Sequence, residues 1–198
     1  MKRTAELQRK TTETTITLKT NLDGKGCYNI ESGIPFLDHM LCLFSKHSLI
    51  DMEIKAQGDL NVDFHHTVED LGLTLGSVIA KALGDKVGIK RYGFFILPMD
   101  EALAEVAIDL SGRSYISWNV EWNNSTIKDF ENSLAEEFWR AFATRLNCTL
   151  HVTVKQGRDG HHICEAIFKC VARALEMAIQ FDEKRQNSVA STKGTLID

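Results

Sequence analysis

One short pattern occurs twice in this chain, and its repetition limits the possible folds more than any other feature. The copies are His65-His66-Thr67-Val68-Glu69 and His161-His162-Ile163-Cys164-Glu165. Each reads H-H-x-x-E, and each opens an apolar stretch with helical spacing. At a helix start, the glutamate lies one turn from both histidines, so the three groups can converge. The two motifs take four of the chain's seven histidines. Imidazole and carboxylate together suit a divalent transition metal, and both lose their protons readily near pH 7. A single copy would read equally well as a solvated histidine pair. Two copies in matching contexts point to metal ligation.

The flanks repeat as well. Residues 14–19 and 27–30 read as strands around a turn at Asp23-Gly24-Lys25-Gly26, while residues 1–12 are simply polar. A helix opens at Gly33-Ile34-Pro35 and runs through residues 36–44, with Leu37, Leu41 and Phe44 at core spacing. Residues 49–56 alternate as a strand, and the first motif helix follows and stops near Gly84. In the second half, residues 92–97, 103–110 and 115–122 read as strands and residues 134–145 as a helix. Residues 148–154 then form a strand before the second motif helix. A shared order of strands, helix, strand and motif helix signals internal duplication. The expected fold class is α+β: two similar sheet-plus-helix halves packed through their helices, covering 1–90 and 91–198 as one compact unit. Matching Ala56 with Val154, 98 residues on, also matches Phe44 with Phe142, Leu41 with Trp139 and His39 with Glu137. If His39 reaches a metal, the corresponding position in the other half carries a carboxylate.

Bulk properties exclude several classes. The net charge of −4 argues against a nucleic-acid partner. No apolar run approaches the roughly 20 residues of a membrane span. The start, Met1 to Glu6, lacks the apolar centre of a signal peptide, and five cysteines without C-x-x-C spacing read as reduced thiols. The expectation is a cytoplasmic protein. Arg91, Arg113 and Lys193 stand at turns or element ends beside Gly or Ser, where they suit a phosphate or a carboxylate. Glu13 has no local partner, and Asp100 and Glu101 read as solvated carboxylates in a tight turn. His47 and His151 are metal candidates by residue type, with His151 reading better as a sheet-face residue. No nucleophile elbow, P-loop or dinucleotide fingerprint occurs.

The stretches GIPFLDHM, DFHHTVEDLG, GIKRYG, PMDEALAEVAIDLSGR, GRDGHHICEAIFK and STKG, in this order, closely resemble the imidazoleglycerol-phosphate dehydratase family. The resemblance implies a ribosomal protein S5 domain 2-like fold in each half. It implies dehydration of D-erythro-imidazole glycerol phosphate to imidazole acetol phosphate in histidine biosynthesis, through an imidazolate stabilised by two Mn(II) ions per active site. It implies His39, His65, His66, Glu69, His161, His162 and Glu165 as metal ligands, with His39, Glu69 and Glu165 also at the catalytic centre. Glu13, His47, Arg91, Arg113, Ser191 and Lys193 become substrate contacts, with Glu13 the candidate base for the carbon-bound proton. The family assembles as a homo-oligomer of 24 subunits with sites between them. The one departure is Glu137, where the family carries His before two aromatics; a carboxylate can still ligate Mn(II). If Glu137 breaks the second site, the alternative is a metal-stapled assembly protein without turnover. A di-metal phosphatase would use the same ligands, but the chain has no D-x-D-x-T start.

Overall fold

Strict alternation makes residues 14–21 a strand with one dry face: Ile16 and Leu18 are fully buried, while Thr15, Thr17 and Lys19 point away from the core. The computed structural model describes residues 2–196. The first half contains β1 (Thr4–Lys10), β2 (Thr14–Asn21), β3 (Tyr28–Glu31), α1 (Pro35–Ser48), β4 (Asp51–Gly58) and α2 (His65–Leu83). Its four strands lie in the order β1-β2-β4-β3. The second half contains β5 (Tyr92–Met99), β6 (Ala102–Asp109), β7 (Tyr115–Asn119), β8 (Thr126–Ile127), β9 (Phe130–Glu131), α3 (Ser133–Leu146), β10 (Thr149–Gln156) and α4 (Gly160–Ile179). Its main sheet has the order β5-β6-β10-β7, the same topology strand for strand. The α+β class and the two similar sheet-plus-helix halves are therefore as expected.

Three local expectations need correction. The polar segment 1–12 contains β1, an edge strand antiparallel to β2. Only Ala5 and Leu7 mark its inner face, beside Arg9, so the alternation carries little hydrophobic contrast. The turn at 23–26 does not close a hairpin. Because β1 and β4 flank β2, β3 pairs instead with β4, in parallel, through the crossover helix α1. The Asp51 carboxylate fixes that turn by accepting from Lys25 N at 2.8 Å and Cys27 N at 2.9 Å. Finally, β7 ends at Asn119, and the loop that follows carries the unexpected two-stranded pair β8–β9. This insertion has no counterpart in the first half. It sends Phe130 into the core, 5.1 Å from the Phe36 ring.

The helices lie between the sheets. α2 packs on the first sheet and α4 on the second, and across the middle α2 meets α3 while α1 meets α4. Phe44, Phe138, Trp139, Phe142 and Phe168 form the aromatic seam between them, with ring centroids 4.8–6.3 Å apart. Two glycines let α2 and α3 approach closely. A Cβ at Gly72 would lie 2.5 Å from the Phe138 carbonyl oxygen, and one at Gly76 would lie 2.4 Å from that of Phe142. The swapped pairing of helices has a chemical consequence. A side chain on the first helix of one half faces the motif helix of the other.

Candidate metal centre

Pro35 opens α1 with its φ already helical, and the Asp38 carboxylate accepts from Ser32 N at 2.8 Å. That start puts His39 one turn into the helix, exposed and directed at α4. The start of α4 is held in a similar way, by Asp159 accepting from His161 N at 2.8 Å. The spacing i, i+4 then brings His161 and Glu165 onto one face. His161 Nε2 lies 3.3 Å from Glu165 Oε2, and His39 Nε2 lies 3.6 Å from the same oxygen. One ligand atom from each of His39, His161 and Glu165 falls within 4.8 Å of the others. Two imidazoles and a carboxylate form a donor set that can hold a divalent metal ion. The Phe36 ring packs edge-on against His161 at 5.4 Å and shapes the wall.

Glu165 is only 7 % exposed. Burial opposes its ionisation, but the Lys169 ammonium, with His161 and His39, outweighs burial and holds its pKa below the ordinary carboxylate value. Lys169 Nζ bonds the other carboxylate oxygen, Oε1, so Oε2 faces the two imidazoles. Lys169 was not among the sequence candidates. Its only signal was its place one turn beyond Glu165 on the motif helix.

The second histidine of each motif is built into a separate arrangement, repeated in both halves. His66 Nδ1 lies 3.0 Å from Asp59 Oδ2, and its Nε2 lies 3.8 Å from Glu13 Oε1. His162 Nδ1 lies 2.7 Å from Glu101 Oε2, and its Nε2 lies 3.8 Å from Asp100 Oδ2. In each case one carboxylate holds Nδ1 and a second faces Nε2, and a carboxylate on Nδ1 is the usual way of orienting a ligating imidazole. The hydrogen bond to Asp59 raises the His66 pKa, and the bond to Glu101 raises that of His162. Glu101 is not the solvated carboxylate expected from the sequence. It accepts from Asp159 N at 2.8 Å and Arg158 N at 3.0 Å, and these bonds with His162 hold its pKa at about 2. Glu13 occupies the matching hairpin of the first half, between β1 and β2. The two glutamates match in position, 88 residues apart, but Glu13 faces Nε2 of its histidine whereas Glu101 binds Nδ1.

The remaining candidates are dispersed. His65 lines a cavity of about 260 Å³ with Asp63, Phe64, Asp129, Glu131, Ser133 and Leu134. The half-buried Glu69 and Glu137 sit on α2 and α3, and His65, Glu69 and Glu137 are the internal-repeat counterparts of Glu165's cluster. Among the described residues, only the His39 set closes to metal-binding distances. His47 is half-buried, and burial followed by the Lys169 and Arg173 charges lowers its pKa. His151 does lie on an open sheet face, beside Tyr115. Arg91 is committed to Asp109, with bonds of 2.6 and 3.0 Å, and to the Ala190 carbonyl at 2.7 Å. Arg113 and Lys193 are exposed, and Ser191 Oγ accepts from Lys193 N at 3.1 Å. Among the described residues, no hydrogen bond or ion pair joins these four to the His39 cluster.

Comparison with known proteins points to one family. The family model described as imidazoleglycerol-phosphate dehydratase matches residues 32–175. A relative of that name from Gluconacetobacter diazotrophicus is 50% identical over 194 residues, covering 98% of each chain. One from Clostridium kluyveri is 50% identical over 98% of this chain and 100% of its own. Among solved structures, imidazoleglycerol-phosphate dehydratase from Staphylococcus aureus superposes with a TM-score of 0.81 at 37% identity, covering 90% of this chain and 99% of that one. IGPD from Pyrococcus furiosus gives 0.81 at 36% identity, covering 96% and 99%.

Proposed function

Because the chain belongs to the imidazoleglycerol-phosphate dehydratase family, we propose that it is a Mn(II)-dependent hydro-lyase that converts imidazole glycerol phosphate to imidazole acetol phosphate in histidine biosynthesis. The observation that carries the metal part of this reading is the convergence of His39, His161 and Glu165 within 4.8 Å. Their donor chemistry fits Mn(II), which takes both imidazole and carboxylate. His65, Glu69 and Glu137, the matching residues of the other half, would hold a second ion. A bound divalent ion supplies a Lewis acid toward the substrate imidazole, making its ring N–H easier to remove.

The chain's own residues have distinct tasks. Lys169 keeps Glu165 ionised and fixes which oxygen faces the imidazoles. Asp59 and Glu101 fix the rings of His66 and His162 with Nε2 outward. Glu13, exposed and 3.8 Å from His66 Nε2, takes the carbon-bound proton of the substrate. Arg113, Ser191 and Lys193 bind the phosphate; Arg91 acts there by holding the segment that bears Ser191. His47 lines the substrate side of α1.

Among the described residues His65, Glu69 and Glu137 do not close to metal-binding distances, which fits a site completed by a second copy of the chain. By family resemblance the chain would assemble as a homo-oligomer of 24 subunits in a cytoplasmic setting. No helix among the described residues is long and apolar enough to cross a membrane. Glu13→Gln tests the proton step. With metal content unchanged, turnover should fall by roughly 10²–10⁴-fold. Full turnover in that variant would remove Glu13 from the role.

A further inference from the structure

We infer that Lys86 is a positioning residue: its buried ammonium ties the loop that carries Arg113 to the C-terminal segment that carries Ser191 and Lys193. The inference rests on the reading that these three side chains bind the substrate phosphate.

The connection from α2 to β5 serves as a bed for the end of the chain. Arg91 N donates to Ala178 O at 3.0 Å, Lys90 N to Gln180 O at 2.8 Å, and Gly88 N to Ser188 O at 3.0 Å. Asp182 N donates back to Gly88 O at 2.8 Å, and Ile89 bridges Phe181. Beyond residue 188 two cationic side chains also hold the segment. Arg91 Nη1 holds Ala190 O at 2.7 Å. Lys86 Nζ reaches Leu196 O at 3.5 Å and, from the same nitrogen, Leu110 O at 3.2 Å. Ser191 and Lys193 therefore lie between two pins. Leu110 is followed directly by Ser111, whose Oγ accepts from Arg113 N at 3.3 Å. One ammonium thus joins the two segments that would have to face the same phosphate.

The local sequence aims Lys86 inward. Gly84 and Lys86 both have positive φ, 54° and 57°, so the chain doubles back after α2 and delivers the side chain under the loop. Lys86 is only 5 % exposed, and burial holds its pKa below the ordinary lysine value, with Cys148 and Asp109 opposing that shift. Taking an ammonium out of water is costly. A methionine would fill the same space without that cost. What lysine adds is a set of N–H donors that can satisfy carbonyls on two segments at once.

The test compares Lys86→Met, which keeps the bulk and loses the donors, with Lys86→Arg, which keeps donors. Both are made in the full chain and assayed with Mn(II). Lys86→Met should raise KM for imidazole glycerol phosphate about 10-fold and weaken competitive inhibition by inorganic phosphate to match, with kcat changed less than about twofold. Hydrogen exchange at residues 110–113 and 189–196 should quicken, and Lys86→Arg should restore most of both effects. Wild-type KM and wild-type exchange in Lys86→Met would overturn the inference. Faster exchange with unchanged KM would also overturn it, since the clamp would then be structural only. Arg113→Ala and Lys193→Ala separate the two readings. If they raise KM while Lys86→Met does not, only the Lys86 role falls; if neither does, the phosphate reading falls with it. Should Lys86→Met fail to fold, a chain ending at residue 195 removes the Leu196 acceptor. It should show the same rise in KM, and a wild-type KM there would refute the clamp.

Discussion

Replacing Gly76 by alanine should force apart the two central helices that carry half of the candidate site. The new Cβ would sit 2.4 Å from Phe142 O and 3.0 Å from Arg145 Cβ and Leu146 N. Ordinary contact needs about 3.5 Å, so α2 and α3 must separate locally by about 1 Å. Two effects compete. Alanine gains about 1 kcal/mol over glycine in a helix interior. Overpacking a closely packed interface against backbone atoms costs about 1–3 kcal/mol. The backbone carbonyl cannot rotate aside as a side chain would, which puts the cost near the upper end and leaves a net loss of about 1–2 kcal/mol. For a chain of this size that lowers Tm by about 2–8 °C. The assay is thermal unfolding at fixed protein and metal concentration, since assembly and ligand both shift Tm. Gly72→Ala, with Phe138 O at 2.5 Å, should act the same way, and the two should not add because they share one interface. A Gly76→Ala protein as stable as its parent would refute the close approach of α2 to α3.

Other perturbations probe separate parts of the account. Glu137→Ala should weaken Mn(II) binding by at least about tenfold in a calorimetric titration, no less than the loss of a group that merely orients a ligand; an unchanged isotherm would exclude Glu137 as a ligand. Asp51 tests linkage. Burial favours its neutral form, but the N–H groups of Cys27 and Lys25 outweigh burial and put its folded pKa below the unfolded value of 3.8. Its contribution is therefore present above that value and lost as pH falls through the folded pKa. Asp51→Asn should cost about 1 kcal/mol at pH 7, with the gap to the parent closing under acid conditions; a gap independent of pH would contradict this.

Much of the architecture was legible because it was written twice. The repeated motif and the matching helices at 36–44 and 134–145 fixed the two halves and their order. The elements that escaped had weak local signals. β1 buries only Ala5 and Leu7, and β8 and β9 are two residues each. The pairing of β3 with β4 depends on which strands flank β2, a non-local fact that no window of sequence contains. At the site, residue type and spacing pointed to His161 and Glu165, and the family resemblance to His39, but neither pointed to the exchange of helices between halves that brings them together. Asp59, Glu101 and Lys169 were missed for a common reason. Each acts on another side chain across a turn or from a different hairpin, and a carboxylate in a polar turn looks the same in sequence whether it is solvated or orients an imidazole.

The most direct test of the central claim is turnover of imidazole glycerol phosphate by protein stripped with a chelator and then resupplied with Mn(II). The account predicts no product from the stripped protein and imidazole acetol phosphate, with its phosphoester intact, once Mn(II) returns. Product formed equally in chelator, or no product from folded protein carrying its full complement of Mn(II), would contradict it.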